Sequence, residues 1–210
     1  MSCPLCLEST ITHYHQDKLR DYWQCLHCHL VFVKSQDRLN TDDEKAIYDK
    51  HENSFDDLGY QNFLNKLLIP LTNKLKSKAS GLDFGSGPGP AILTMMANKG
   101  FRMVNYDPYY ANNPEVLKQQ YDFITCTEVI EHLYHPHQEL TLLCQMLKDN
   151  GLLGIMTKRL INFEKFRSWH YKNDPTHVCF YSDLTFEYIA EKWGYKLEII
   201  NSDSVILHKL

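Results

Sequence analysis

The stretch Leu82-Asp83-Phe84-Gly85-Ser86-Gly87-Pro88-Gly89-Pro90 constrains the fold more than any other part of the chain. Leu82 to Phe84 read as the end of a buried strand, and three glycines at alternate positions force a tight turn. From Ala91 the apolar positions Ile92, Met95 and Met96 predict a helix, closed by Lys99 and Gly100. A strand, a glycine turn and a helix start together leave backbone N–H groups uncovered by side chains, a place for an anionic group on a flat ligand. The dinucleotide fingerprint G-x-G-x-x-G is not met, because Pro90 fills its last position.

Asp83 stands two residues before the first glycine. The run Asp83-x-Gly85-x-Gly87-x-Gly89 resembles motif I of class I S-adenosylmethionine-dependent methyltransferases. The competing reading is the strand-turn of some other α/β protein. The rest of the chain fits an α/β alternation. Phe101 to Tyr106 read as a second strand ending at Asp107, and Tyr121 to Cys126 as a third. Pro136 suits the first turn of a helix carrying Leu140, Leu143, Cys144 and Leu147, with Gly151 just past its end. Leu152 to Thr157 follow as a strand. Ser182 is placed to cap a helix through Phe186, Ile189, Ala190 and Trp193, stopped by Gly194. Tyr195 to Ile200 and Val205 to Leu210 read as a closing hairpin. The expected fold class is α/β: a doubly wound, mostly parallel Rossmann-like sheet ending in an antiparallel hairpin, preceded by a small N-terminal zinc ribbon.

The ribbon rests on cysteine spacing. Four of the seven cysteines form two pairs, Cys3-Pro4-Leu5-Cys6 and Cys25-Leu26-His27-Cys28. Two C-x2-C knuckles suit one tetrahedral zinc ion. The segment between them, with Tyr14, Tyr22 and Trp23, has room for a short hairpin, and Leu30 to Val33 would leave the second knuckle as a strand. A unit of ~35 residues buries too little apolar surface to fold alone, so metal binding would supply folding energy. His27 and His29 flank the ligands, but the symmetric spacing favours four sulfurs. Cys126, Cys144 and Cys179 lie in apolar segments and are expected in the core. The organisation expected is a zinc ribbon over 1–34, an acidic connector and packing helix over 35–80, and a methyltransferase domain over 81–210.

In the connector, Asp42, Asp43, Glu44, Asp49, Glu52, Asp56 and Asp57 read as a solvated charge run around a short helix near Lys45 to Lys50. Tyr48, His51 and Tyr60 are the exceptions, since a connector arriving just before the core can fold over the ligand pocket. Phe63, Leu64, Leu67, Leu68, Leu71 and Leu75 make one helical apolar face, which Pro70 is expected to kink or break.

In a doubly wound sheet the ligand lies across the carboxyl ends of the strands. Cofactor-binding candidates there are Asp83, Gly85, Ser86, Gly87, Asp107 and Thr127. Asp107, one residue past a strand, is placed to take the ribose hydroxyls, or else to cap a turn with Pro108. Glu128-Val129-Ile130-Glu131-His132 resembles two metal-assisted branches of the class, ubiquinone-pathway O-methyltransferases and small-RNA 3′-terminal 2′-O-methyltransferases. In a helical turn Glu128, Glu131 and His132 would share one face and hold Mg2+ or Mn2+; the alternative is a metal-free cofactor wall. The run Asp174-Pro175-Thr176-His177-Val178 resembles the substrate-side motif of this group, and in its RNA-modifying branch a loop histidine completes the metal site. His177 is thus a candidate fourth ligand with Glu128, Glu131 and His132, or a general base, or a loop-bracing residue. The catalytic candidates are His132, His177 and Glu128. Only Pro108 to Gln120 separate Asp107 from the next strand, where this class fits a helix and a strand, so the usual adenine contact does not carry over; Tyr109 or Tyr110 is the substitute.

The net charge of −4 gives no general pull toward nucleic acid. The resemblance implies methyl transfer from S-adenosylmethionine, with a hydroxyl-bearing small molecule as first acceptor. RNA comes second, on the strength of Lys158, Arg159, Lys165, Arg167 and Lys172. A non-catalytic cofactor-binding module that docks a protein through the ribbon is the rival. No membrane span or signal peptide is read, so a cytoplasmic location is expected; the oligomeric state is not legible.

Overall fold

Strand pairing in the computed structural model, which describes residues 1–50, 57–89 and 91–210, sorts the chain into two sheets. His51, Glu52, Asp56 and Pro90 lie outside the described residues. The N-terminal sheet is a meander of β1 (Ile11–Gln16), β2 (Asp21–Cys25) and β3 (Val31–Val33). Its fourth strand comes from far along the chain: β3 pairs antiparallel with β8 (Cys179–Phe180), Val31 opposite Phe180. The ribbon therefore shares its sheet with the loop that follows His177.

The larger sheet contains β4 (Ser80–Phe84), β5 (Arg102–Tyr106), β6 (Tyr121–Thr127), β7 (Leu147–Met156), β9 (Tyr195–Ile199) and β10 (Ser204–Lys209), in the order β5-β4-β6-β7-β10-β9. The first four are parallel, and β10 runs antiparallel to both β7 and β9. This is the mostly parallel α/β sheet with a terminal hairpin that the sequence predicts. The segment after Asp107 contributes no strand; it holds one bridge to Ala111 and a 3-10 turn over Pro114–Lys118, so β5 is the sheet edge.

Helices cover both faces because each carries one apolar stripe. On one face α2 (Leu58–Thr72) and α3 (Ala91–Asn98) bury Leu64, Leu67, Leu68, Leu71, Ile92 and Met96 against Phe123, Leu152 and Ile206. Gly154 lets α2 approach: a Cβ there would sit 3.2 Å from Leu67. On the other, α4 (Pro136–Met146) and α6 (Asp183–Trp193) bury Leu140, Leu143, Phe186 and Ile189. That core runs without a break into Leu5, Tyr22, Leu30 and Phe32 of the ribbon. Ser182 and Thr185 close a capping box at the start of α6, and Gly194, φ 71°, ends it.

Three local expectations change. The connector helix, α1 (Thr41–Tyr48), starts earlier than Lys45, where the Asn40 side chain accepts from the N–H groups of Asp42 and Asp43. Leu147 and Gly151 belong to β7 rather than to the end of α4. Pro70 does not break α2, which runs on to Thr72. Proline removes the N–H that would bond the Lys66 carbonyl, and Asn201 Nδ2 donates to that carbonyl instead, at 3.1 Å.

Candidate active site

The carboxyl ends of β4, β5 and β6 open into one cavity of about 780 Å3, lined also by Tyr48 of α1 and Tyr60 of α2. One end is built from the glycine turn and Asp107. Gly85 takes φ 76° and Gly87 φ 61°, and a Cβ on Gly85 would lie 2.5 Å from Val129, so only glycine fits. Three of the turn's amides have partners within the protein: the Gly85 and Ser86 N–H groups both donate to the Tyr106 carbonyl, at 2.8 and 3.3 Å, and the Gly87 N–H donates to Asp107 Oδ2 at 2.9 Å. These three amides are already taken, and at Gly87, where a Cβ would meet nothing within 4 Å, the turn presents bare backbone to the cavity. Asp107 Oδ1 takes two further N–H groups, from Tyr109 at 2.8 Å and Tyr110 at 3.1 Å. Asp107 thus does both things the sequence suggested separately: it caps the Pro108 turn and lines the cavity. Asp83 lies buried behind it; burial, with the Thr125 hydroxyl at 2.7 Å opposing and Asp107 adding, pushes its carboxyl up to about 7.

Glu44 of α1 is 8% exposed, not solvated with the rest of the acidic run. Its two oxygens accept from Tyr48 at 3.0 Å and Tyr109 at 2.8 Å, and Asp49 accepts from Tyr110 at 2.7 Å. The connector helix thereby pins the tyrosine turn that replaces the missing strand.

The other end gathers three segments. Ile130–His132 form a 3-10 turn, and Glu128 before it has φ 51°, so Glu128, Glu131 and His132 do not share the helical face the sequence predicted. Ligand atoms of Glu131, His132 and His177 lie within 4.8 Å of one another, and Glu128 stands outside that set. The His177 Nδ1 lies 2.7 Å from the Tyr171 carbonyl and the His132 Nδ1 3.2 Å from the Thr176 carbonyl. A carbonyl can only accept, so each Nδ1 carries a proton, and in the neutral ring each Nε2 then keeps the lone pair; His177 Nε2 lies 4.0 Å from Asp174 Oδ2. Tyr171 OH donates a very short hydrogen bond to Glu131 Oε1, while Glu131 Oε2 and Glu128 Oε1 are buried without a hydrogen-bond partner among the described residues. Burial pushes Glu128 up to about 7, against the pull of Lys158, and Glu131 up to about 8, with Glu128 adding to it.

Cys3, Cys6, Cys25 and Cys28 bring their sulfurs within 4.8 Å of one another, with neither His27 nor His29 in the set. Cys3–Cys28 at 3.5 Å and Cys6–Cys25 at 3.4 Å are far longer than the ~2.04 Å of a disulfide. Four zinc–sulfur bonds of ~2.3 Å would hold tetrahedral sulfurs ~3.8 Å apart, so the donor set fits that ion. The residue after each knuckle, Leu7 at φ 69° and His29 at φ 59°, is left-handed, giving the two knuckles the same shape.

A family model described as a methyltransferase domain matches residues 57–199, more than half of the chain. The chain belongs to this methyltransferase family. Methyl transfer is therefore its reaction class. Comparison with curated proteins returns no match. Among solved structures, the methyltransferase resembles an S-adenosylmethionine-dependent methyltransferase from Archaeoglobus fulgidus, at 17% identity and TM-score 0.54 over 71% of this chain and 99% of that one. It also resembles CalO1, a calicheamicin-biosynthesis methyltransferase in its S-adenosylhomocysteine-bound form, at 11% identity and TM-score 0.53 over 71% of this chain and 54% of that one. A Methanosarcina mazei S-adenosylmethionine-dependent methyltransferase aligns at 12% identity and TM-score 0.50, over 69% and 98%. At these identities the likeness is one of fold.

The residues expected from sequence to bind a cofactor, Asp83, Gly85, Ser86, Gly87, Asp107 and Thr127, all line the cavity, together with Glu128, His132 and His177. Glu131 sits just behind that wall. Tyr171 is not among the site residues named from sequence, yet its hydroxyl bonds Glu131 and its carbonyl sets His177. Sequence reasoning also missed Glu44; a lone acid in an acidic run carries no local signal of burial. Of the basic residues proposed near the reactive face, Lys172 is buried against Asp17 at 2.7 Å, and Arg159 is spent on Asp183 and the Asn201 carbonyl.

Proposed function

We propose that this methyltransferase moves the methyl group of S-adenosylmethionine to a hydroxyl of a small molecule. The observation carrying this reading is that one cavity joins the Asp107 end to the paired histidines, so donor and acceptor can meet in it. The glycine turn would let the methionine part approach bare backbone. Asp107 would take ribose: three of its roughly four acceptor positions are filled by backbone N–H groups, which leaves one for a hydroxyl. Tyr109 and Tyr110, fixed by α1, stand where adenine would stack.

A sulfonium methyl is already activated, so in-line positioning does most of the catalysis. His177 Nε2, with its lone pair set by the Tyr171 carbonyl, would remove the acceptor's proton, with His132 beside it at 4.7 Å between ring centres. Glu128 would line the acceptor pocket. No lysine or arginine lines the cavity among the described residues, whereas Tyr48, Tyr60 and Tyr134 do. That wall favours an uncharged or cationic aromatic acceptor over a phosphate backbone.

A second reading adds a divalent ion. Glu131, His132 and His177 have the ligand types for Mg2+ or Mn2+, and the unpartnered Glu131 Oε2 is the observation in its favour. Such an ion would polarise the acceptor hydroxyl. In this scheme residues 1–34 hold a zinc ion through the four cysteines, 35–80 supply part of the cavity wall, and 81–210 carry the chemistry. The test is calorimetry with S-adenosylhomocysteine, repeated with and without Mn2+. Micromolar binding is expected; no heat at millimolar ligand would remove the cofactor assignment. A manganese paramagnetic resonance signal that His177→Ala abolishes would select the metal-assisted version.

A further inference from the structure

The loop that presents the acceptor-end histidines is held by the ribbon, from the turn between β1 and β2. Arg20 Nη2 donates to the Lys172 carbonyl at 2.7 Å and the Asp174 carbonyl at 2.9 Å, and Nη1 donates to the Pro175 carbonyl at 3.0 Å. His177 and His132 take the carbonyls of Tyr171 and Thr176. Between residues 171 and 176 the carbonyls taken by the arginine are therefore bracketed by those that orient the two imidazoles. The same turn holds the loop by side chains. Lys172, 5% exposed, donates to Asp17 Oδ2 at 2.7 Å, and the buried Tyr22 hydroxyl bridges Arg20 Nε, Asp17 and the Lys172 carbonyl. Below the loop, the Val33 N–H of β3 donates to the Val178 carbonyl, and the Val178 N–H donates to the Glu131 carbonyl. One strand of hydrogen bonds runs from the ribbon through Val178 to the acceptor-end acid.

We propose that Arg20 and Asp17 are positioning residues for methyl transfer, fixing the 171–176 backbone so that its carbonyls hold both histidines with Nε2 as the lone-pair nitrogen. The proposal rests on reading this cavity as the methyl-transfer site. It gives the ribbon a task inside the reaction rather than a separate binding role. A planar guanidinium can meet three carbonyls in fixed geometry, which a lysine ammonium cannot reproduce. A buried lysine, in turn, needs its carboxylate partner to stay in place.

The experiment is long-range proton–nitrogen NMR of the protein labelled with 15N-histidine, at pH ~8.5 where ordinary imidazoles are neutral. His132→Gln and His177→Gln assign the signals. The full-length protein should show both residues with the proton on Nδ1. In Arg20→Ala those signals should move to a mixture of tautomers, while S-adenosylhomocysteine affinity stays within about threefold, because the cofactor end shares no partner with Arg20. Arg20→Lys should fall between the two. Native tautomer signals in Arg20→Ala, or wild-type histidines protonated on Nε2, overturn the proposal. Should Arg20→Ala fail to fold, Asp17→Asn carries the test: it keeps the arginine and loosens Lys172, and unchanged histidine signals in it count against the clamp. Wild-type protein with the expected histidine signature but no cofactor binding would sink the proposed reaction and leave the clamp standing, so the two failures are distinct.

Discussion

The two ends of the cavity are made in opposite ways. The Asp107 end is local: Asp83, the glycine turn and Asp107 stand on adjacent parallel strands joined by one helix, and Asp107 is held by backbone N–H groups from within or just after that unit. The histidine end is assembled across the whole chain. It needs a 3-10 turn after β6, a loop after β7, and a ribbon formed at the other end of the sequence. The local end holds Asp107 with three backbone N–H groups, whereas the assembled end keeps buried carboxylate oxygens without partners among the described residues. A carboxylate held by its neighbours' backbone needs little outside support beyond the α1 contacts to Tyr109 and Tyr110. A site with unmet polar groups persists only where the surroundings force it.

That contrast can be broken by experiment, and the largest effect should come from the ribbon. Structural zinc contributes ~10–16 kcal/mol in small metal-dependent units. Cys25→Ser should lose bound zinc by elemental analysis and lower the melting temperature of the whole molecule in one transition, because ribbon and sheet share a core. Two separate transitions would show the ends to be independent. Next, His177→Ala should lower methyl transfer by ~10^2 to 10^4-fold, the usual contribution of a general base, with S-adenosylhomocysteine binding retained. Asp107→Asn should do the reverse, weakening cofactor binding by ~10 to 100-fold through loss of a charge-assisted contact. If either substitution moved both readouts equally, the division of labour would be wrong.

A pH titration should reveal the clamp more gently. Burial alone would raise the Asp17 carboxyl, but Lys172, the Leu19 and Arg20 N–H groups and Tyr22 hold it well below the usual carboxylate range. A carboxyl depressed by folding stabilises the protein above its unfolded value, ~4, and that stability fades as the pH drops further. Unfolding midpoints of Asp17→Asn should accordingly lose part of the wild-type acid sensitivity. The smallest effect belongs to a position remote from both ends. Asn201→Ala should cost ~1 kcal/mol in a denaturant melt by unpairing the Lys66 carbonyl opposite Pro70.

The fold was largely legible because its signals are periodic and local. Strand, turn and helix around Gly85, the cap at Ser182 and the stop at Gly194 each sit within a few residues of what they control. The cysteine knuckles were legible for the same reason. The truncated segment after Asp107 could be read as a length, but not the α1 carboxylates that hold its tyrosines. Pro70 does not break its helix, and the group that meets the carbonyl it leaves open, Asn201, lies in a distant turn that spacing does not show. The helical face expected of Glu128, Glu131 and His132 does not form because Glu128 adopts a left-handed backbone, its N–H bound to the Met156 carbonyl at 2.8 Å, and Val129 is non-helical before the 3-10 turn. Such partners are chosen by tertiary contact, which spacing does not encode.

The pairing of Val31 with Phe180 has a consequence for synthesis. A chain leaving the ribosome presents its first strands long before the partner of β3 exists, and contacts this far apart in sequence form late and slowly. Metal capture by Cys3, Cys6, Cys25 and Cys28, as proposed above, would give the nascent segment a way to wait, so that supply of the ion during translation, rather than afterwards, should then decide how much active protein a cell recovers.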